Sequence, residues 1–147
     1  MRRRSDEWDV AVRRARESFD AFASAGAHKA CIGAKAQLAR YALRGGSLAE
    51  AQPYATDVWA YLQAHTPYGL YIYTGELNPF LACAEVFQAT GDVGSANAAI
   101  DKGYRDLMAF VKEFTNAEWR RVYLETPPDN VALAARWRAI HPEASTG

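Results

Sequence analysis

Three histidines, two cysteines and no net charge leave this sequence of 147 residues poor in the groups that metal binding and covalent catalysis draw on. The cysteines, Cys31 and Cys83, give no disulfide framework. Both fall in apolar helical patterns, where a thiol packs as a small hydrophobe. His28 and Cys31 stand three apart on one helical face, but His65, Cys83 and His141 form no second pair to complete a site, so no metal is expected. No serine sits in a nucleophile-elbow context, and Gly33-Ala34-Lys35-Ala36 lacks the spacing and the following Ser or Thr of a phosphate loop. Neither a catalytic residue nor a cofactor is therefore expected. Carboxylate pairs such as Asp101 with Asp106 and Glu113 with Glu118 lie on helices where charge ordinarily meets water.

Seventeen basic residues against 17 acidic ones remove any global electrostatic case for nucleic acid. The local exception, Arg2-Arg3-Arg4 with Arg13, Arg14 and Arg16, reads as a solvated basic helix end. No apolar run approaches membrane-spanning length, and Met1 to Arg4 lead straight into Ser5-Asp6-Glu7 with no apolar segment. A cytoplasmic protein without a membrane partner is the expectation.

What the chain does have is apolar residues, at 50%, arranged with helical spacing. The length suits one domain, residues 1–147, with 142–147 as a frayed tail. Trp8, Val12, Ala15, Phe19 and Phe22 share one face of a helix over about 6–23. A second helix spans about 28–44 and stops at Gly45-Gly46. Ser47-Leu48-Ala49-Glu50 then has the form of a capping box, opening a third helix with Ala51, Ala55, Val58 and Leu62 inward. Tyr68-Gly69-Leu70-Tyr71-Ile72-Tyr73 has strand-like composition but no second strand to pair with, so an extended aromatic loop is expected.

The most informative stretch follows, over 78–114. Cys83-Ala84-x-x-Phe87-x-x-x-Gly91-Asp92-Val93-x-x-Ala96-x-x-x-Ile100 reads as a helix, a tight turn and a second helix folded back. Gly91 supplies the left-handed residue that ends one helix, and Asp92 accepts the free amide hydrogens that open the next. Ala84 and Ala96 allow close approach where the helices cross, with Glu85 expected on an exposed face. Asn116 caps a short helix containing Trp119, Val122 and Tyr123. After Pro127-Pro128, Asp129 or Asn130 opens a last helix with Val131, Ala134, Trp137 and Ile140 on one face. Packing is the expected role of Trp8, Trp119 and Trp137.

The chain also repeats itself. An offset of 45 residues aligns Ala39 with Ala84, Gly46 with Gly91, Ala51 with Ala96 and Leu62 with Leu107. Paired helices repeating at such a period imply hairpins that bury their apolar faces by stacking. Ala39-x-x-Ala42-x-x-x-Gly46-x-Leu48-x-x-Ala51 and its copy Ala84-x-x-Phe87-x-x-x-Gly91-Asp92-Val93-x-x-Ala96 resemble tetratricopeptide repeats over most of 30–114. Departures are Lys35 where the second copy has the aromatic Phe80, and a period longer than the usual ~34 residues. The resemblance implies an all-α fold: a right-handed α-α superhelix of about seven helices in antiparallel hairpins. A narrower likeness, over Pro79-Phe80-Leu81-x-Cys83, Gly91-Asp92, Arg120-Arg121-x-Tyr123-Leu124-Glu125, Pro128-x-Asn130 and Trp137, is to the C-terminal repeat tail of large bacterial signalling regulators. In those proteins an ATPase or cyclase-like region precedes the repeats, and nothing in this sequence resembles it.

That likeness implies a protein-binding or scaffold module rather than an enzyme. Carrying the groove positions of the repeat family across gives Gly33, Ala36, Arg40 and Arg44, then Asn78, Leu81, Glu85 and Gln88. Arg40 and Arg44 are one turn apart, placed to hold a carboxylate of a peptide, of a partner domain or of another part of the same parent chain. Tyr68, Tyr71 and Tyr73 form a candidate aromatic contact loop. The alternatives are a small-molecule pocket between that loop and the helices over 78–114, an enzyme with polar groups converging in such a cavity, or a homodimer through the unpaired face of the first helix.

Overall fold

A computed structural model describes residues 9–14, 16, 17, 20, 28–65 and 77–143. The loop carrying Tyr68, Tyr71 and Tyr73, together with Trp8, Phe19, Phe22, the Cys31 side chain and residues 144–147, lies outside them. The described residues are helical, with no strand. Helix α1 is described at 9–14, 16, 17 and 20. It is followed by α2 (His28–Arg44), α3 (Leu48–Ala64), α4 (Pro79–Ala89), α5 (Val93–Val111), α6 (Ala117–Glu125) and α7 (Pro128–Ile140).

The turns between helices are built by the residues that the local chemistry singles out. Gly46 and Gly91 take φ of +86° and +84°, conformations that a side chain would strain. Each closes a helix in the same way: Ser47 N–H bonds back to Ala42 O, and Asp92 N–H to Phe87 O, both at 2.9 Å. The next helix opens at once, Ser47 Oγ accepting from Glu50 N–H and Asp92 Oδ1 from Ser95 N–H. Lys35 and Asp57, nearly equidistant from the first turn, meet at 3.3 Å, so α2 and α3 run antiparallel. Phe80 and Gly103, placed similarly about the second turn, are in contact, and α4 and α5 run antiparallel too.

The core lies where the two hairpins meet. α4 packs against α2, α3 and α5, and contributes Phe80, Leu81, Ala82, Cys83, Ala84, Val86 and Phe87 to the buried cluster. Pro79 to Ala84, Val86 and Phe87 of this 11-residue helix are buried, which makes α4 the central element. α2 adds Ile32, Ala36 and Ala39, α3 adds Ala51, Ala55, Val58 and Leu62, and α5 adds Ala96, Ala99, Ile100, Leu107 and Val111.

The C-terminal hairpin departs from its sequence pattern. α6 buries none of its residues, and Trp119, expected to pack, is 68% exposed, with Val122 also exposed. In α7 the buried positions are Asn130 and Leu133 with Trp137 half-covered, whereas Val131 faces solvent. The reason is where α7 begins. Pro128 takes the first helical position, which its fixed φ favours, so Asp129 and Asn130 fall in the first turn and neither caps the helix. The face turned inward is then set by partners of these two polar residues on other helices.

Candidate functional site

Arg40, on α2, is the one charged side chain buried among the described residues, with 7% of its surface exposed. Its Nη2 donates to Glu85 Oε1 on α4 at 2.9 Å, and its Nη1 to Asp129 Oδ2 on α7 at 2.8 Å. Single charge-assisted hydrogen bonds of this length are strong, and one guanidinium here joins three helices. Its Nε is buried and has no hydrogen-bond partner among the described residues.

The same Asp129 oxygen accepts from the backbone N–H of Asn78 at 2.6 Å. Asn78 is the N-cap of α4, and its own Oδ1 accepts from Phe80 and Leu81 N–H. In a capping box, an acidic side chain at the third helical position returns to the N-cap amide. That position in α4 is Leu81, which cannot do so, and Asp129 supplies the missing carboxylate from another helix. Asn130 completes the junction: its Oδ1 accepts from Asn78 Nδ2 at 3.2 Å and its Nδ2 donates to Tyr123 O at 3.1 Å.

The positions expected to line a groove thus divide. Ala36, Arg40, Asn78 and Leu81 are buried; Gly33 and Glu85 are partly covered; only Arg44 and Gln88 are open to solvent. Arg40 does hold a carboxylate, as its type and position suggest, but the carboxylates belong to Glu85 and Asp129 of the same chain. Arg44 does not share them. Glu85, expected at an exposed face, is turned toward Arg40 with its side chain 20% exposed. Asp129 and Asn130 were legible only as helix-opening residues; Pro128 ahead of them is the signal that they enter the first turn instead.

Further along α7 the contacts are aromatic. The Trp137 ring stacks on Tyr104 of α5 with centroids 4.2 Å apart, and His141 Nε2 lies 2.5 Å from Asp101 Oδ1. Asp101, Tyr104, Arg105, Met108, Lys112, Trp137 and His141 border an open groove of about 690 Å³. A second groove, of about 580 Å³, lies between α1 and the α2–α3 hairpin, with Arg16 3.9 Å from Glu50 across it. Among the described residues no three His, Cys, Asp or Glu side chains gather in a metal-holding group. No described helix is long and apolar enough to cross a membrane. No protein-family model, no curated protein and no solved structure matches the chain.

Proposed function

We propose that this chain is a non-catalytic protein-binding module, built as a tetratricopeptide-like right-handed superhelix, whose receiving surface is the shared face of α2 and α4. The observation that carries the reading is the Arg40–Glu85 contact. These residues are 45 apart, the period at which the sequence repeats, so equivalent positions of two successive hairpins lie side by side. Stacked hairpins in that register present a continuous surface, and repeat proteins use such surfaces to bind. Arg44 and Gln88, one turn beyond the contact on each helix and exposed, give this surface two hydrogen-bond donors for an incoming acceptor. By its likeness to the repeat tails of bacterial signalling regulators, the module is read as a sensor or scaffold end rather than a motor.

Selection of helical peptides from a random library on the immobilised protein tests the reading. Enriched peptides are expected to carry acidic residues and to lose roughly tenfold in affinity, the worth of one charge-assisted hydrogen bond, when both Arg44 and Gln88 are replaced by alanine. Both side chains are exposed, so the double variant should fold as the parent does. Ligands that bind the parent and the double variant equally would overturn it.

A further inference from the structure

We infer that the start of α7, Asp129 and Asn130, is a resident occupant of the receiving surface, and that the partner which displaces it presents a helix beginning with a carboxylate followed by an amide. This rests on the reading above and adds the ligand chemistry and its regulation. The occupant itself supplies the chemistry. Asp129 fills two acceptor positions, for Arg40 Nη1 and the Asn78 backbone N–H, while Asn130 bonds to the Asn78 side chain. A segment from another protein opening with the same pair of side chains would satisfy the same donors.

Charge accounting makes the exchange feasible. Arg40 faces two carboxylates, so departure of α7 leaves Arg40 and Glu85 as a neutral pair and returns Asp129 to water. No buried charge is stranded, which is the circumstance that makes breaking such a network prohibitive. Docking of α7, by contrast, requires desolvating a second carboxylate. The resident also leaves one donor unused, since Arg40 Nε is buried and unpaired among the described residues. An unmet buried donor costs free energy, so a ligand with an additional acidic side chain that reaches Nε can exceed the resident in affinity.

The way the hairpin is held points the same way. α6 buries no residue fully but packs Tyr123 and Leu124 against the core, Tyr123 edge-on to Phe110 and Phe114, while α7 is held by Asp129 and Asn130 at its start, Ala132 and Leu133 midway, and Trp137, Ile140 and His141 toward its end. Leu133 is the hairpin's one side chain inside the buried cluster, to which α4 contributes seven. Segments with few buried apolar contacts open at lower free energy than the rest of a structure.

The test uses the full chain and a fluorescent peptide with the sequence of residues 126–141. The parent chain should bind it weakly, because the tethered copy competes at an effective concentration on the order of millimolar. Two variants loosen the tethered copy from opposite ends, Asp129→Asn and Trp137→Ala, the second without touching the proposed surface. Each chain, confirmed helical by circular dichroism, should bind the peptide at least tenfold more tightly than the parent. A peptide carrying Asp129→Asn should lose that gain. Equal binding by all three chains, or equal binding of the two peptides, would overturn the inference. If that happens while library-selected ligands still depend on Arg44 and Gln88, the receiving surface stands and only its resident occupant is withdrawn.

Discussion

Gly103 on α5 lies so close to Phe80 on α4 that a Cβ built on it would come within 2.6 Å of the Phe80 Cβ and 2.7 Å of its Cγ. Those atoms are the root of the phenylalanine side chain, fixed by the α4 backbone, and cannot swing aside. A close approach within the central hairpin is therefore made by a glycine inside a helix, where glycine costs about 1 kcal/mol relative to alanine. Gly103→Ala recovers that propensity but drives the helices apart. The clash should win, with a net loss of about 1–3 kcal/mol by urea denaturation. An unchanged or raised midpoint would show that the hairpin yields at this point.

Arg40 and Arg44 should behave oppositely despite standing one turn apart. Arg40→Met removes the cation from between Glu85 and Asp129 and leaves two carboxylates confronting each other under partial cover. Breaking a buried network in this way costs about 3–5 kcal/mol. Arg44→Ala, at an exposed position, should stay within about 0.5 kcal/mol of the parent. Comparable losses in the two chemical-denaturation curves would contradict the placement of either residue.

Cys83 is sealed between the hairpins, its Sγ–H directed at Ala55 O at 3.5 Å. Burial pushes its thiol well above the usual range, so the reactive thiolate is suppressed at neutral pH. In the folded protein at pH 8, iodoacetamide should leave the Cys83 peptide unmodified by mass spectrometry, and urea should unmask it. Alkylation of native Cys83 at the rate of a free thiol would mean that the interface between α3 and α4 opens readily.

Asp92 ties stability to acid. Hydrogen bonds from the Ser95 hydroxyl and then the Ser95 backbone N–H hold its carboxyl below the ordinary value. A carboxyl whose folded pKa is depressed adds stability above its unfolded pKa and loses it as pH falls through the folded one. The melting temperature of the parent should exceed that of Asp92→Asn near neutrality, and the gap should close as pH falls below about 4. A gap that persists unchanged into acid would assign the difference to shape rather than charge.

Much of this architecture follows from signals that act within a few residues. Gly46 and Gly91 stop helices because of their own φ, and Ser47, Asn78, Asp92 and Asn116 open them through bonds to amides two or three positions on. The apolar faces of α3 and α5 are visible as helical periodicity, and the 45-residue period brings Arg40 to the level of Glu85. What tertiary structure alone decided is which surfaces remain free. Asp129 reaches Arg40 across 89 residues and Asn78 across 51, with no periodicity linking them. That junction buries Arg40 and Asn78, and it turns α7 by its polar residues rather than its apolar ones. Trp119, patterned for a core, stays in water because a short helix covers only what its neighbours offer. Caps and periods are properties of a few adjacent residues, whereas burial belongs to whatever arrives from elsewhere in the chain, and sequence spacing carries no record of that arrival.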